Sequence, residues 1–207
     1  MKNRILPEKL GILSDGGERM TDADIRKQFE GAGDFEVRVL RSGEYALYAY
    51  FIDGLVTGSF VAQYIFAPIM QSLPQQLQDA YEAALRGSVC NAVAKPCRDL
   101  TDVARKLVSG FCVVLFPGVG AIAFEARTSV ARTPNPPEVE NTVKGPKDAF
   151  VETLRINTSL LRRHLRTPDL RIAEETVGKT SLTNVSVIWI EGITNRVLVE
   201  RMKNRLK

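Results

Sequence analysis

The spacing of apolar and polar positions changes several times along this chain, and each change marks an element. Residues 35–41, FEVRVLR, alternate with the two-residue period of a half-buried strand, and residues 44–52 continue the signal beyond a Ser42-Gly43 turn. Together they predict an antiparallel hairpin. Upstream, TDADIRKQFEG (21–31) predicts a short helix capped by Thr21 or Asp22 and ended by Gly31 or Gly33. Downstream, Phe60, Val61, Tyr64, Ile65 and Ile69 give one face of a helix near 58–71, which Pro68 should kink or shorten. A second helix, 74–86, starts at Pro74. Residues 87–98 read as a loop and 99–108 as a further helix.

Residues 107–124 carry no charge, which reaches the lower limit of a membrane span. Pro117-Gly118-Val119-Gly120 interrupts the run, so two buried strands, 111–117 and 120–127, joined by a tight turn are the better reading. Residues 147–166 predict a helix with Phe150, Leu154, Leu161 and Leu165 on one face; Asn157-Thr158 could divide it and Pro168 stops it. A second hairpin, 169–177 and 183–190, turns near Gly178-Lys179, and a last helix, 195–206, is capped by Thr194 or Asn195.

The order strand, turn, strand, acid-glycine, helix thus occurs at 35–71 and again at 170–206. YALYAYFIDGLV (45–56) and NVSVIWIEGI (184–193) each end an apolar run on an acid-glycine pair, Asp53-Gly54 and Glu191-Gly192, with the acids 138 positions apart. That distance is too long for a solenoid and suits two related α/β units. The fold class read here is α/β, or α+β-like: two small lobes, each a mixed or antiparallel sheet with flanking helices. Residues 1–20 form a flexible arm, 21–131 the first lobe, 132–146 a linker rich in proline (Pro134, Pro136, Pro137, Pro146), and 147–207 a second lobe expected to be incomplete at its C-terminus.

Composition narrows the function. At 44% hydrophobic and 25% charged the chain can bury a core as an ordinary globular protein does. Its net charge of +4 is unevenly placed. Residues 144–207 hold 13 Lys+Arg against 7 Asp+Glu, whereas residues 1–143 hold 15 against 17. A basic third can serve phosphate, lipid headgroup or nucleic-acid partners, but a solvated helix face explains it as well. Without interleaved aromatics, and with a modest net charge, nucleic acid is disfavoured. Cys90, Cys97 and Cys112 are an odd, irregularly spaced set, so no disulfide framework is expected and a reducing compartment fits best. His164 is the only histidine and sits among arginines that disfavour its protonated form, so neither a histidine-rich metal site nor a nucleophile-base pair is expected. There is no phosphate loop either, and the reading is a protein without catalysis, cofactor or metal. The N-terminus lacks the apolar core of a secretory signal.

Asp53, Gly54, Glu191 and Gly192 stand where a strand gives way to a helix. They could hydrogen-bond an amine, since strand ends in α/β sheets are common ligand crevices. They could equally form turns in which glycine takes a positive φ and the acid satisfies backbone N–H groups, and this second reading carries more weight. Arg155, Arg162, Arg163, Arg166 and Arg171 form the basic cluster; spacings of seven and four place Arg155, Arg162 and Arg166 on one helix face. Their forks suit carboxylate or phosphate on a neighbouring subunit, a headgroup or an anion. Internal pairs with Glu152, Asp169 and Glu174 are the competing use. Asn157 is read as a cap or a helix break rather than a ligand contact.

The stretch 145–193 resembles a known family. Gly145, Pro146, Lys147, Asp148, Phe150, Glu152, Leu154, Arg155, Asn157, Leu160 (or Leu161), Arg162 and Arg163 match the signature of the N-terminal soluble domain of GerA-type spore germination receptor A subunits. Pro168-Asp169-Leu170, Val177-Gly178-Lys179 and Trp189-Ile190-Glu191-Gly192-Ile193 continue it, with tryptophan in place of the usual tyrosine, and Phe51 to Val56 also fit. The resemblance spans about residues 35–207, and a close relative in the stage V sporulation operon shares much of the pattern. It implies a membrane complex that detects nutrients in dormant spores. In such a complex A subunits assemble with one another and with B and C subunits around an ion pathway, and the B subunit is the better candidate for the primary nutrient site. This domain would face the spore core at the inner spore membrane, with transmembrane helices following beyond residue 207. Assembly and gating is the leading expectation, and a nutrient held between two lobes is the alternative.

Overall fold

The computed structural model of the chain describes residues 12–13, 19–42, 45–71, 77–87, 92–127 and 149–206. The linker expected at 132–146, most of the arm at 1–20, and Gly145, Pro146, Lys147 and Asp148 of the family signature lie outside the described residues.

A short antiparallel pair, β1 (Ile12–Leu13) and β2 (Arg19–Met20), leads into helix α1 (Asp22–Gln28). Thr21 caps α1 in a reciprocal box: its side chain accepts the Asp24 N–H, and the Asp24 carboxylate accepts the Thr21 N–H. Strands β3 (Phe35–Ser42), β4 (Tyr45–Ile52), β5 (Ala94–Pro96), β6 (Phe111–Phe116) and β7 (Gly120–Glu125) form one antiparallel sheet in the order β3-β4-β6-β7-β5. Strands β6 and β7 are the uncharged run of the sequence. They read as continuously apolar because helices cover both faces of the sheet. On one face, Tyr50, Ile52, Val113, Leu115 and Ala123 pack with α1 and with α5 (Leu100–Val108). On the other, Leu47, Phe51, Val114, Phe116 and Phe124 pack against a helical run after β4 and against α4 (Leu77–Leu85).

The helical run after β4 covers the expected 58–71, distorted ahead of Pro68 rather than shortened by it: it comprises α2 (Gly58–Phe60), a π-helical segment (Val61–Phe66) and α3 (Ala67–Gln71). The Ala67 N–H reaches back to the Ala62 carbonyl. This wider turn, one residue ahead of the proline, lets the chain pass a residue that has no N–H to give. Residues 94–96, expected in a loop, form β5; it is an edge strand, where proline is tolerated.

The second unit is an antiparallel hairpin, β8 (Leu170–Val177) and β9 (Thr183–Ile190), with α6 (Leu154–His164) before it and α7 (Arg196–Leu206) after it. Helix α6 starts seven residues later than the expected 147 and is not divided at Asn157. The Asn157 side chain instead accepts the Val151 N–H at 2.8 Å and donates to the Val151 carbonyl at 2.7 Å, which fixes the non-helical segment ahead of the helix. The expected apolar face does not form, since Phe150 and Leu165 are exposed. The buried side is Thr158, Ser159, Leu160 and Arg162, because α6 packs on a polar turn of the first unit rather than on an apolar surface.

At the start of α5, Asp99 accepts the Asp102 N–H at 2.7 Å, and the buried Asp102 carboxylate accepts the Arg98 N–H and an Arg105 guanidinium N–H. Burial pushes the Asp102 carboxyl up, but these bonds and Lys106 outweigh it, so it titrates below the usual carboxylate range. A depressed folded-state value adds stability above the unfolded carboxylate value and loses it as pH falls through the folded one. Asp102→Asn is therefore expected to lower stability at neutral pH and to flatten the acid side of the pH–stability profile. Denaturant melts from neutral to acid pH check this; an unchanged acid slope contradicts it.

Candidate functional site

The two acid-glycine turns are built alike. In the first, Gly54 has φ +88°, Asp53 Oδ1 accepts the Gly54 N–H at 3.0 Å, and the Ile52 carbonyl accepts Leu55 at 3.1 Å and Val56 at 3.0 Å. The Asp53 N–H donates to the carbonyl of Asp34, just before β3, at 2.8 Å. In the second, Gly192 has φ +79°, and the Ile190 carbonyl accepts Ile193 at 3.3 Å and Thr194 at 3.0 Å. The Glu191 N–H donates to the carbonyl of Asp169, just before β8, at 2.8 Å. Asp34 and Asp169, like Asp53 and Glu191, therefore hold equivalent places in two related units.

The units differ in what lies on the turn. Helix α6 covers the first turn so closely that a Cβ on Gly54 would stand 3.0 Å from the Ser159 Cβ, and Leu55 is buried. At Gly192 no described atom lies within 4 Å of that position, and Ile193 is 81% exposed.

Arg162 joins the units. Its Nε and Nη2 donate to the two Asp34 carboxylate oxygens, each at 2.7 Å, and both side chains are at most 1% exposed. Nη1 donates to the Thr167 carbonyl at 3.3 Å. Beside this pair the Gly33 N–H donates to the Ile172 carbonyl at 2.7 Å, so closely that a Cβ on Gly33 would meet that oxygen at 2.8 Å. Arg171, also buried, donates to the carbonyls of Pro168 and Gln28.

Arg155 lies nearer the surface, with Nη1 3.3 Å from Asp53 and 3.2 Å from Glu174, so one cation ties the first turn to β8. The pair with Glu174 was among the alternatives read from the sequence; the contact with Asp53 was not. Arg155, Arg162 and Arg166 do not share a surface. Arg162 turns inward, and α6 ends at His164, so Arg166 lies beyond it and donates to the Arg163 carbonyl at 3.1 Å. Arg163 and Arg166 line a cleft with Leu55, Val108, Ser109, Gly110 and Arg127. On the second turn, burial pushes the Glu191 carboxyl up. Hydrogen bonds from Trp189 at 3.3 Å and Arg196 at 2.9 Å outweigh this and hold it below the usual range.

Asp34 was not singled out from sequence, and Gly33 only as a possible helix end. Aligning the units would have found Asp34, because Asp34-Phe35 and Asp169-Leu170 both stand at the entry to a first strand. Arg127 was missed because it falls where a strand runs into a proline-rich stretch, with no local motif. Among the described residues no group of three or more His, Cys, Asp or Glu could hold a metal, and no helix is long and apolar enough to cross a membrane.

Comparison with known proteins agrees with this architecture. The family model described as "Bacillus/Clostridium GerA spore germination protein" matches residues 23–207. Stage V sporulation protein AF of Bacillus subtilis (strain 168) is 28% identical over 174 residues, covering 84% of this chain and 35% of that protein. Spore germination protein B1 of the same organism is 29% identical over 160 residues, covering 76% of this chain and 32% of that protein. The chain thus spans about a third of the length of these relatives. The crystal structure of the N-terminal domain of the A subunit of the Bacillus megaterium spore germinant receptor GerK3 superposes with a TM-score of 0.69 at 19% identity, over 96% of this chain and 73% of that one. The shared fold is the mixed α/β arrangement described above.

Two stability measurements follow from this geometry. Asp34→Ala strands a buried guanidinium and is expected to cost about 3–5 kcal/mol, with much of the loss recovered when Arg162→Met is added. Gly54→Ala meets both a left-handed backbone and the Ser159 side chain, whereas Gly192→Ala meets only the backbone penalty of about 1–2 kcal/mol. Urea melts should rank Gly54→Ala as the costlier change; equal costs contradict the packing of α6 on the first turn.

Proposed function

Because the chain belongs to the GerA family of Bacillus/Clostridium spore germination proteins, we propose that it acts as the N-terminal domain of a germinant-receptor A subunit, in receptor assembly and in passing a conformational change to a membrane ion pathway. In this proposal its partners are other A subunits and the B and C subunits. The full-length protein sits in the inner spore membrane with this domain on the spore-core side. No reaction is assigned to the chain.

The observation that carries the reading is the mechanical continuity between the units. A buried bidentate ion pair, a backbone hydrogen bond and a bridging arginine connect the first unit to α6 and β8. A displacement imposed on one unit is delivered to the other through fixed polar contacts, which is what a transmitting element needs. A second reading, a small nutrient held between the units, is favoured by the cleft of ≈ 420 Å³ lined from both of them.

Arg155 is the residue to test. Its contacts are half-exposed, so replacing it should cost less than about 1 kcal/mol of stability, yet it couples Asp53 to Glu174. In the full-length protein Arg155→Ala is expected to leave subunit abundance unchanged and to slow nutrient-triggered germination. Asp53→Ala with Glu174→Ala should produce the same defect, with no addition when the three changes are combined. Normal germination of the Arg155→Ala spores at normal subunit level contradicts the transmission reading.

A further inference from the structure

The two units match position by position beyond their turns. Strands β3 and β8 have eight residues each, as do β4 and β9, and the helix that follows begins at Gly58 in one unit and at Arg196 in the other, six positions past the strand in both. On this match Val199 stands where Val61 stands, and both are buried. Leu198 and Met202 stand where Phe60 and Tyr64 stand. Phe60 and Tyr64 pack on one another, ring centres 4.9 Å apart, and Tyr64 remains 44% exposed. Leu198 and Met202 are each 54% exposed. The first unit has a five-stranded sheet with helices on both faces and still leaves this row outside. An outward apolar row is therefore a property of the repeated motif.

What differs is the charge beside the row. On α7, Val197, Arg201 and Arg205 form the adjacent line of side chains, one turn apart. Arg196 is taken by Glu191 at 2.9 Å, and Lys203 lies 3.6 Å from Glu200 and 4.7 Å from the centre of the Trp189 ring. Arg201 and Arg205 are exposed, and no described residue pairs with either. The corresponding places in the first unit hold Gln63 and Ala67, which carry no charge. The negative end of α7 accounts for Arg205 in its last turn, but Arg201 lies ahead of that turn.

We propose that α7 rests on the surface of an anionic lipid bilayer, with Leu198 and Met202 entering it and Arg201 and Arg205 binding headgroup phosphates. Aliphatic ends beside free cations suit the headgroup–acyl boundary, where guanidinium forks meet phosphate oxygens. A protein groove takes a helix by anchors on successive turns at i, i+3, i+4 and i+7, and α7 offers one narrow row. The contact goes beyond the receptor reading and does not require a signal to pass between the units.

The test sediments the 207-residue chain with vesicles of mixed phosphatidylglycerol and phosphatidylcholine, and with vesicles of phosphatidylcholine alone. Association with the anionic vesicles that weakens as salt rises is expected. A cation near such a surface contributes about fivefold, so Arg201→Glu with Arg205→Glu should lower association more than about tenfold. Leu198→Ser with Met202→Ser keeps the charge and should lower it severalfold. All four side chains are exposed, so urea melts of both variants should match the unmodified chain. Arg38→Glu with Arg41→Glu removes the same charge from exposed positions of β3 and should lower association less than about threefold. Equal loss from that control overturns the proposal, because net charge alone then explains adsorption. Equal association with phosphatidylcholine vesicles overturns the anionic partner. No association with either vesicle overturns the membrane contact and leaves the row to an acidic protein surface.

Discussion

The contact between Asp34 and Arg162 is the constraint around which the two units are arranged. A guanidinium and a carboxylate, each almost fully out of water, make two hydrogen bonds of 2.7 Å across 128 positions of sequence. Removing either partner strands a charge in a medium that cannot solvate it, so the units can separate only by rehydrating both. The neighbouring contacts depend on this placement. Gly33 meets the Ile172 carbonyl where β8 is held beside this pair, and Ser159 rests on Gly54 where Arg162 and Arg155 hold α6. The pair does more to fix position than to add net stability, since a buried ion pair gains little over a well-packed apolar contact.

The duplicated turn explains why this contact exists at one unit and has no counterpart at the other. Both units route an N–H from the acid-glycine turn to the carbonyl of an aspartate preceding the first strand. In the first unit that aspartate is capped by Arg162 and its glycine is covered by α6. In the second, Asp169 is an exposed residue hydrogen-bonded to Thr167, and nothing described covers Gly192. The turn is thus a docking point made by backbone geometry, and the residues placed over it decide what it does. At the first unit it receives a helix. Beside that helix, Arg163 and Arg166 line a cleft with Leu55 and Val108.

Much of this was legible in the sequence because it is local. The hairpins at 35–52 and 170–190, the apolar strands at 111–125, and the cap at Thr21 follow from period and turn chemistry, and they were found within a residue or two. The glycines of both turns adopt the positive φ that the acid-glycine pattern suggests. Other features are settled by tertiary contact. Arg162 reads as a surface cation because nothing within its helix marks it as buried; only Asp34, far upstream, makes that burial tolerable. Phe150 and Leu165 read as core by spacing, yet α6 packs by small and polar residues on a turn, so they stay exposed. Pro68 leaves its helix at the expected 58–71 and shows only as a local distortion, because a π-helical turn before it absorbs the missing N–H.

The functional reading depends on whether the two units move as one. Native-state hydrogen exchange under increasing urea measures this directly, by comparing the opening free energies of amides in β8 and β9 with those in β4 and β6. If the buried pair couples the units, the hairpin amides should merge with the sheet in a single cooperative opening. Replacing Asp34 should separate the hairpin from the sheet as an earlier, independent opening. A hairpin that already opens independently in the unmodified chain, well below the sheet, would contradict the account, because a change arriving at one unit would then dissipate before it reached the other.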